Sequence, residues 1–155
     1  MDAIRLLTDD HDKLKQLLEQ GDKTTERGVK TRTDLLQRIK TELTAHEIIE
    51  EEIFYPALKE HPKAKELVLE AYEEHHVVDK VMAELEQTAV DDEVWGAKFT
   101  VMKENIEHHI EEEEGEMFPQ ARQVFDEEEL QALGEQMAAR KEQALQDPTL
   151  ASQSQ

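Results

Sequence analysis

The chain has 155 residues, enough for one domain with a buried core, although only 37% of them are apolar and 36% are charged. A net charge of −20 repels phosphate backbones and anionic lipid surfaces, so neither nucleic-acid nor membrane binding is expected, and cations are the natural counterpart. With no cysteine there are no disulfides, thiolate zinc sites or Cys-ligated iron–sulfur clusters, and any metal must take nitrogen and oxygen ligands.

The amino terminus, Met1-Asp-Ala-Ile-Arg-Leu-Leu7, meets charge too early for a signal peptide or a membrane span, which points to a cytoplasmic protein. A first helix is predicted over 2–20. Its apolar residues, spaced three and four apart, give the seam Ile4, Leu7, His11, Leu14, Leu18, with one imidazole in an aliphatic stripe. Beyond Gly21 and Gly28 a second helix over 28–55 carries Leu36, Ile39, Leu43, His46, Glu50, Ile53 on one face, and Pro56 is expected to break it. The third helix, 63–88, offers two adjacent histidines. The line Val68, Ala71, His75, Val78, Met82, Leu85 is unbroken, whereas the line through His76 meets Lys80. The fourth, 92–117, repeats the choice: Trp95, Phe99, Met102, Ile106, His109, Glu113 is intact, while the line through His108 and Glu112 contains Lys98 and Asn105. A shorter fifth helix over 126–145 presents Leu130, Leu133, Met137 and Leu145, and residues 146–155 read as a frayed tail.

Short connections between long amphipathic helices favour antiparallel neighbours. The expected fold is therefore all-α: an up-down-up-down four-helix bundle over residues 1–125, with helix 126–145 appended to the same domain.

One phrase occurs twice, His46-Glu-Ile-Ile-Glu50 leading to Pro56 and His109-Ile-Glu-Glu-Glu113 leading to Pro119. In each, a His precedes a Glu by four residues, which puts imidazole and carboxylate on one helix face. A single His on an apolar face is usually a satisfied core histidine. One His on each of four helices, together with two inward carboxylates, is a different case, because burying the carboxylates is costly unless they are paired or metal-bound. The convergence of His11, His46, Glu50, His75, His109 and Glu113 therefore predicts a metal centre. Two metals sharing Glu50 and Glu113 is the economical arrangement, with iron the leading candidate and manganese or zinc compatible with the same donors. His61, His76 and His108 stand outside the constellation.

At these residues the chain resembles the hemerythrin-like (HHE cation-binding) family over about residues 4–125. The resemblance implies a non-haem diiron centre held by the same residues, with Glu50 and Glu113 bridging and an oxo or hydroxo group as third bridge. Oxygen carriers of that family place a second His one turn further along helix three, where this chain has Asp79. Asp79, Glu47, Glu74 or a water is left to fill that position, and the departure moves the expected function away from plain oxygen storage.

Three functions follow as expectations: a diiron protein that interacts with dioxygen, nitric oxide or peroxide in oxygen, iron or redox-stress handling or sensing; a catalase-like peroxide scavenger; and a purely structural metal site. Tyr72, one turn before the helix-three ligand, is a candidate for peroxide chemistry, although ordinary packing is the favoured account of it. No oligomeric state is read from the sequence.

Overall fold

The computed structural model describes residues 1–147, and these are all-helical. The helices are α1 (Ala3–Asp22), α2 (Val29–Ile49), α3 (Tyr55–Lys59), α4 (Lys65–Glu86), α5 (Glu93–Glu112), α6 (Phe118–Val124) and α7 (Glu127–Gln146). Two π-helical turns, π1 (Glu50–Phe54) and π2 (Glu113–Met117), join α2 to α3 and α5 to α6. The expected tail lies, from residue 148 onward, outside the described residues. Side-chain caps set three of the starts: Asp2 accepts from Arg5 N, Asp92 accepts from Val94 N, and Asp126 forms a capping box with Glu129.

The four helices α1, α2, α4 and α5 run up-down-up-down. One apolar cluster holds Ile4, Leu7, Ile49, Val68, Ala71 and Met117, and a second holds Leu14, Leu18, Ile39, Leu43, Val78, Met82, Phe99 and Ile106. Along α1 and α4 the chain passes from the first cluster to the second, and along α2 and α5 it passes back, as antiparallel neighbours require. In every helix the histidine lies at the crossing, so a polar layer is held between two dry ones.

Helix α1 packs on α2 and α5, and α4 packs on α5, while α7 lies across α1 and α2. The last contact is close. A Cβ on Gly134 would stand 2.2 Å from the carbonyl oxygen of Met1, so only glycine lets α7 cross the start of α1. Leu130 and Met137 anchor α7 as expected, but Leu145 is exposed and Ala144 is buried in its place.

The prolines do not end their helices. A proline ring crowds the carbonyl four residues back and offers no N–H. In both copies of the repeat the turn before it is widened: Tyr55 N–H donates to Glu50 O and Phe118 N–H to Glu113 O, each five residues back. Pro56 and Pro119 then sit in the first turn of α3 and α6, where a missing donor costs little. The helical path thus continues to Lys59 and Val124 rather than stopping near 55 and 117. The extra residue per turn also moves the inward position from i+4 to i+5. Ile53, expected in the seam, is only partly buried, whereas Tyr55 and Phe118 face the interior.

Candidate metal centre

Six side chains from α1, α2, π1, α4, α5 and π2 meet in the polar layer, and all are buried. Glu50 and His11 are 0% exposed and Glu113 is 1% exposed. His11 Nε2 lies 3.0 Å from Glu113 Oε1, and His46 Nε2 and His75 Nε2 lie 3.3 and 3.1 Å from Glu50 Oε1. His109 Nε2 lies 3.4 Å from Glu113 Oε2. These atoms form two groups, His11, His46, Glu50, Glu113 and Glu50, His75, His109, within each of which the ligand atoms lie inside 4.8 Å of one another. Glu50 belongs to both.

Every imidazole turns Nε2 inward and gives Nδ1–H to a carboxylate on another helix. His46 donates to Asp10 (2.9 Å), His75 to Glu51 (2.7 Å), His109 to Glu74 (2.6 Å) and His11 to Glu114 (2.7 Å). The pattern has an internal two-fold. Asp10 and Glu74 directly precede the histidines of α1 and α4, and Glu51 and Glu114 directly follow the shared-type glutamates Glu50 and Glu113. Each acid serves the next helix, so the four bonds close a ring around the bundle. Such partners fix the tautomer that leaves Nε2 free and raise its basicity as a ligand. Asp10 is held in turn by Lys141 of α7, which also lies 3.8 Å from Glu42.

The electrostatics describe a site that wants positive charge. Burial opposes protonation of His46 and His75, yet Glu50 with Asp10, and Glu50 with Glu51, outweigh it and push each imidazole up to about 10. Burial likewise opposes charge on His109, and Glu113 and Glu74 hold it well above its ordinary range. Burial would raise Glu113, but His109 and His11 hold its carboxyl well below the usual carboxylate range. Despite these neighbours, His46 Nε2 and both oxygens of Glu50 make no hydrogen bond. Buried atoms left without partners among so many donors fit a cation.

Two residues complete the layer that the seam pattern does not reveal. Tyr55 donates its phenolic O–H to Glu113 Oε2, and the same oxygen lies 3.4 and 3.3 Å from Nε2 of His75 and His109. Phe118, its counterpart in the repeat, stacks on His11 with ring centroids 5.7 Å apart. One half of the site therefore has a phenol where the other has a phenyl. Tyr72 stays outside, packing edge-on against Tyr55 at 5.3 Å.

A cavity of about 10 Å³ is lined by the four histidines, Glu47 and the apolar Leu14, Leu43, Val78, Ile106 and Ile110. Of the three oxygen donors considered for the missing helix-three histidine, Glu74 is engaged with His109 and Asp79 is exposed. Glu47 is 8% exposed, lines this cavity, and leaves Oε2 without a hydrogen bond. His76 and His108 face solvent beside Glu73 and Glu112, and His61 packs edge-on against Phe125.

An antiparallel bundle with a buried two-fold ring of His and Glu defines a metal-binding helical protein. The family model of the Hemerythrin HHE cation binding domain matches residues 2–121, and the chain belongs to this family. It is also similar to a solved structure from Mycobacterium kansasii described as a hemerythrin HHE cation binding domain-containing protein. The two share 27% identity with a TM-score of 0.86, over 100% of this chain and 99% of the other. No curated protein matches the sequence. No helix among the described residues is long and apolar enough to cross a membrane.

Proposed function

We propose that the chain is a non-haem diiron protein that interacts with dioxygen, nitric oxide or peroxide. One iron is held by His11, His46, Glu50 and Glu113 and the other by Glu50, His75, His109 and Glu113, with both glutamates shared and the Tyr55 oxygen as a further donor to the second. The observation that carries this reading is the pair of bare Glu50 oxygens set between His46 and His75 in a fully buried layer. The donor set of imidazole, carboxylate and phenol suits iron, while manganese and zinc accept most of it.

When bound, the metals supply Lewis acidity and a redox couple. The chain's own residues decide what reaches them. The apolar wall of Leu14, Leu43, Val78 and Ile106 keeps bulk water out, and a cavity of about 10 Å³ is in the range of a single water-sized guest, which selects very small molecules.

Glu47 favours peroxide disproportionation to water and dioxygen as a second reading. Burial first, then the neighbouring Asp79 and Glu51, hold its carboxyl well above the usual range against the pull of His75. A carboxyl that keeps its proton beside the guest cavity is able to give that proton to an oxygen atom there.

Metal analysis with absorption spectroscopy, anaerobic and then aerobic, tests the first reading. Two irons per chain and a spectrum that changes with dioxygen, nitric oxide or peroxide are expected; a colourless protein with one zinc would sink it. Oxygen evolution from hydrogen peroxide that is abolished by His46→Ala, sharply reduced by Glu47→Gln and kept by His76→Ala is expected of the second.

A further inference from the structure

Helices α2 and α4 are separated by a groove of about 410 Å³, whose lining includes Glu47, Glu51, Glu52, Asp79, Ala83 and Glu86. Leu43 and Glu47 line both this groove and the inner cavity, so these two side chains form the wall between solvent and the histidine layer. The groove is strongly acidic. Among the described residues that line it the one cation is Lys40, which is engaged with Glu86 at 3.2 Å. Ordered by burial, the groove's carboxylates run from Asp79 and Glu52, exposed, through Glu51, half-buried, to Glu47, buried, with the fully buried Glu50 three residues further along the same helical path. Glu47 Oε2 and both Glu50 oxygens are buried without a hydrogen-bond partner.

We propose that the α2–α4 groove is the loading route for a divalent metal ion, with Asp79 and Glu47 as successive transfer ligands that deliver it to Glu50. The inference rests on the reading of the histidine layer as a metal centre. Carboxylate oxygens spaced along a groove suit a hydrated divalent cation that sheds water stepwise, Glu47 releasing its proton as the ion arrives, and the same lining repels anions. A neutral diatomic gas needs no such lining.

Other sides of the layer are less open. Helix α7 covers α1 and α2, where Lys141 holds Asp10 and Arg140 bonds Glu52 at 2.9 Å. On the α4–α5 face Glu74, His108 and Glu112 bring ligand atoms within 4.8 Å of one another, but Glu74 there is bound to His109. That cluster serves as the internal control.

The experiment follows Co²⁺ or anaerobic Fe²⁺ uptake by the metal-free full chain in a stopped-flow instrument, with equilibrium metal content measured separately. Asp79→Lys, which reverses the charge at the mouth, and Ala83→Trp, which fills it, both alter exposed positions and leave the core intact. Each is expected to slow uptake roughly tenfold or more while the final content stays at wild type's two metals. Glu47→Gln slows it too, rising salt slows the wild type, and a His108→Ala, Glu112→Ala double variant loads at the wild-type rate. If the wild type takes up two metals and the groove variants load as fast, the route is overturned. Slowing confined to the His108, Glu112 variant would overturn it in favour of the α4–α5 face. A wild type that takes up no metal would overturn the metal-centre reading and the route with it.

Discussion

Glu114 and His11 are 103 residues apart in the chain, yet Glu114 Oε2 lies 2.7 Å from His11 Nδ1. The bond joins π2 to α1 and aims Nε2 of His11 at Glu113, the residue beside its own partner. Glu114 is a third exposed. Glu114→Gln keeps the shape and removes the charge that makes His11 a strong donor. Loss of such a partner typically costs 10–100-fold in metal affinity. Competition against a chelator is expected to give about that loss for Glu114→Gln, while the metal-free protein loses only about 1 kcal/mol, because the amide oxygen still accepts from Nδ1–H. Wild-type affinity would mean that the bond orients nothing.

Tyr55 and Phe118 occupy the same place in the two copies of the repeat, five residues after Glu50 and Glu113. Tyr55→Phe makes the halves alike. With iron bound, a phenolate donor gives a visible charge-transfer band, and the variant is expected to lose that band while keeping two irons per chain. A spectrum identical to that of the wild type would leave Tyr55 as a hydrogen-bond donor to Glu113 alone.

Why these two aromatics escape a reading of the sequence is a matter of period. A 3.6-residue repeat selects His11, His46, Glu50, His75, His109 and Glu113, because each helix is regular up to its glutamate. Past Glu50 the π turn adds a residue, so the same period selects Ile53 and leaves Tyr55 out of register. The proline that marks this place reads equally well as a helix end. The outer carboxylates are hidden differently. With 38 acidic residues in the chain, Asp10, Glu51 and Glu114 look like solvated surface, and Glu74 stands out only as a candidate for the open helix-three position rather than as a partner of His109. Their signal was positional: an acid immediately before the histidines of α1 and α4, and an acid immediately after Glu50 and Glu113. The apolar seams, by contrast, depend only on burial, which is why the bundle and its antiparallel order are legible.

Gly134 allows α7 to cross the first residues of α1. A Cβ there would lie 2.2 Å from Met1 O and 2.7 Å from the carbonyl carbon of Asp2, and backbone cannot rotate away as a side chain can. Gly134→Ala is expected to destabilise the fold by about 1–3 kcal/mol, the usual range for overpacking, despite alanine's better helix propensity. Chemical denaturation measures it. Because α7 also brings Lys141 to Asp10, the variant should weaken metal binding as well, whereas Gly115→Ala, with open space at its Cβ, should do neither.

The metal-free protein should lose stability as pH rises, which is unusual for so acidic a chain. His46 and His75 titrate at about 10 in the fold, with burial opposing and Glu50, Asp10 and Glu51 prevailing, against an ordinary value of 6.5. Between these values the fold holds protons that the unfolded chain has released, so stability falls with pH across that window. The contribution is complete below about 6.5 and gone above about 10. Glu113 sets the acid edge with the opposite sign, since its lowered value makes its contribution present above its ordinary 4.5 and lost as pH falls through the folded value. Bound metal replaces the imidazole protons, so the loaded protein should keep its Tm through the alkaline window and release protons on loading. Melting curves of chelator-stripped and iron-loaded protein from about pH 6 to 10 separate the two. A metal-free Tm that rises over this range would show that the carboxylates around His46 and His75 do not hold their protons.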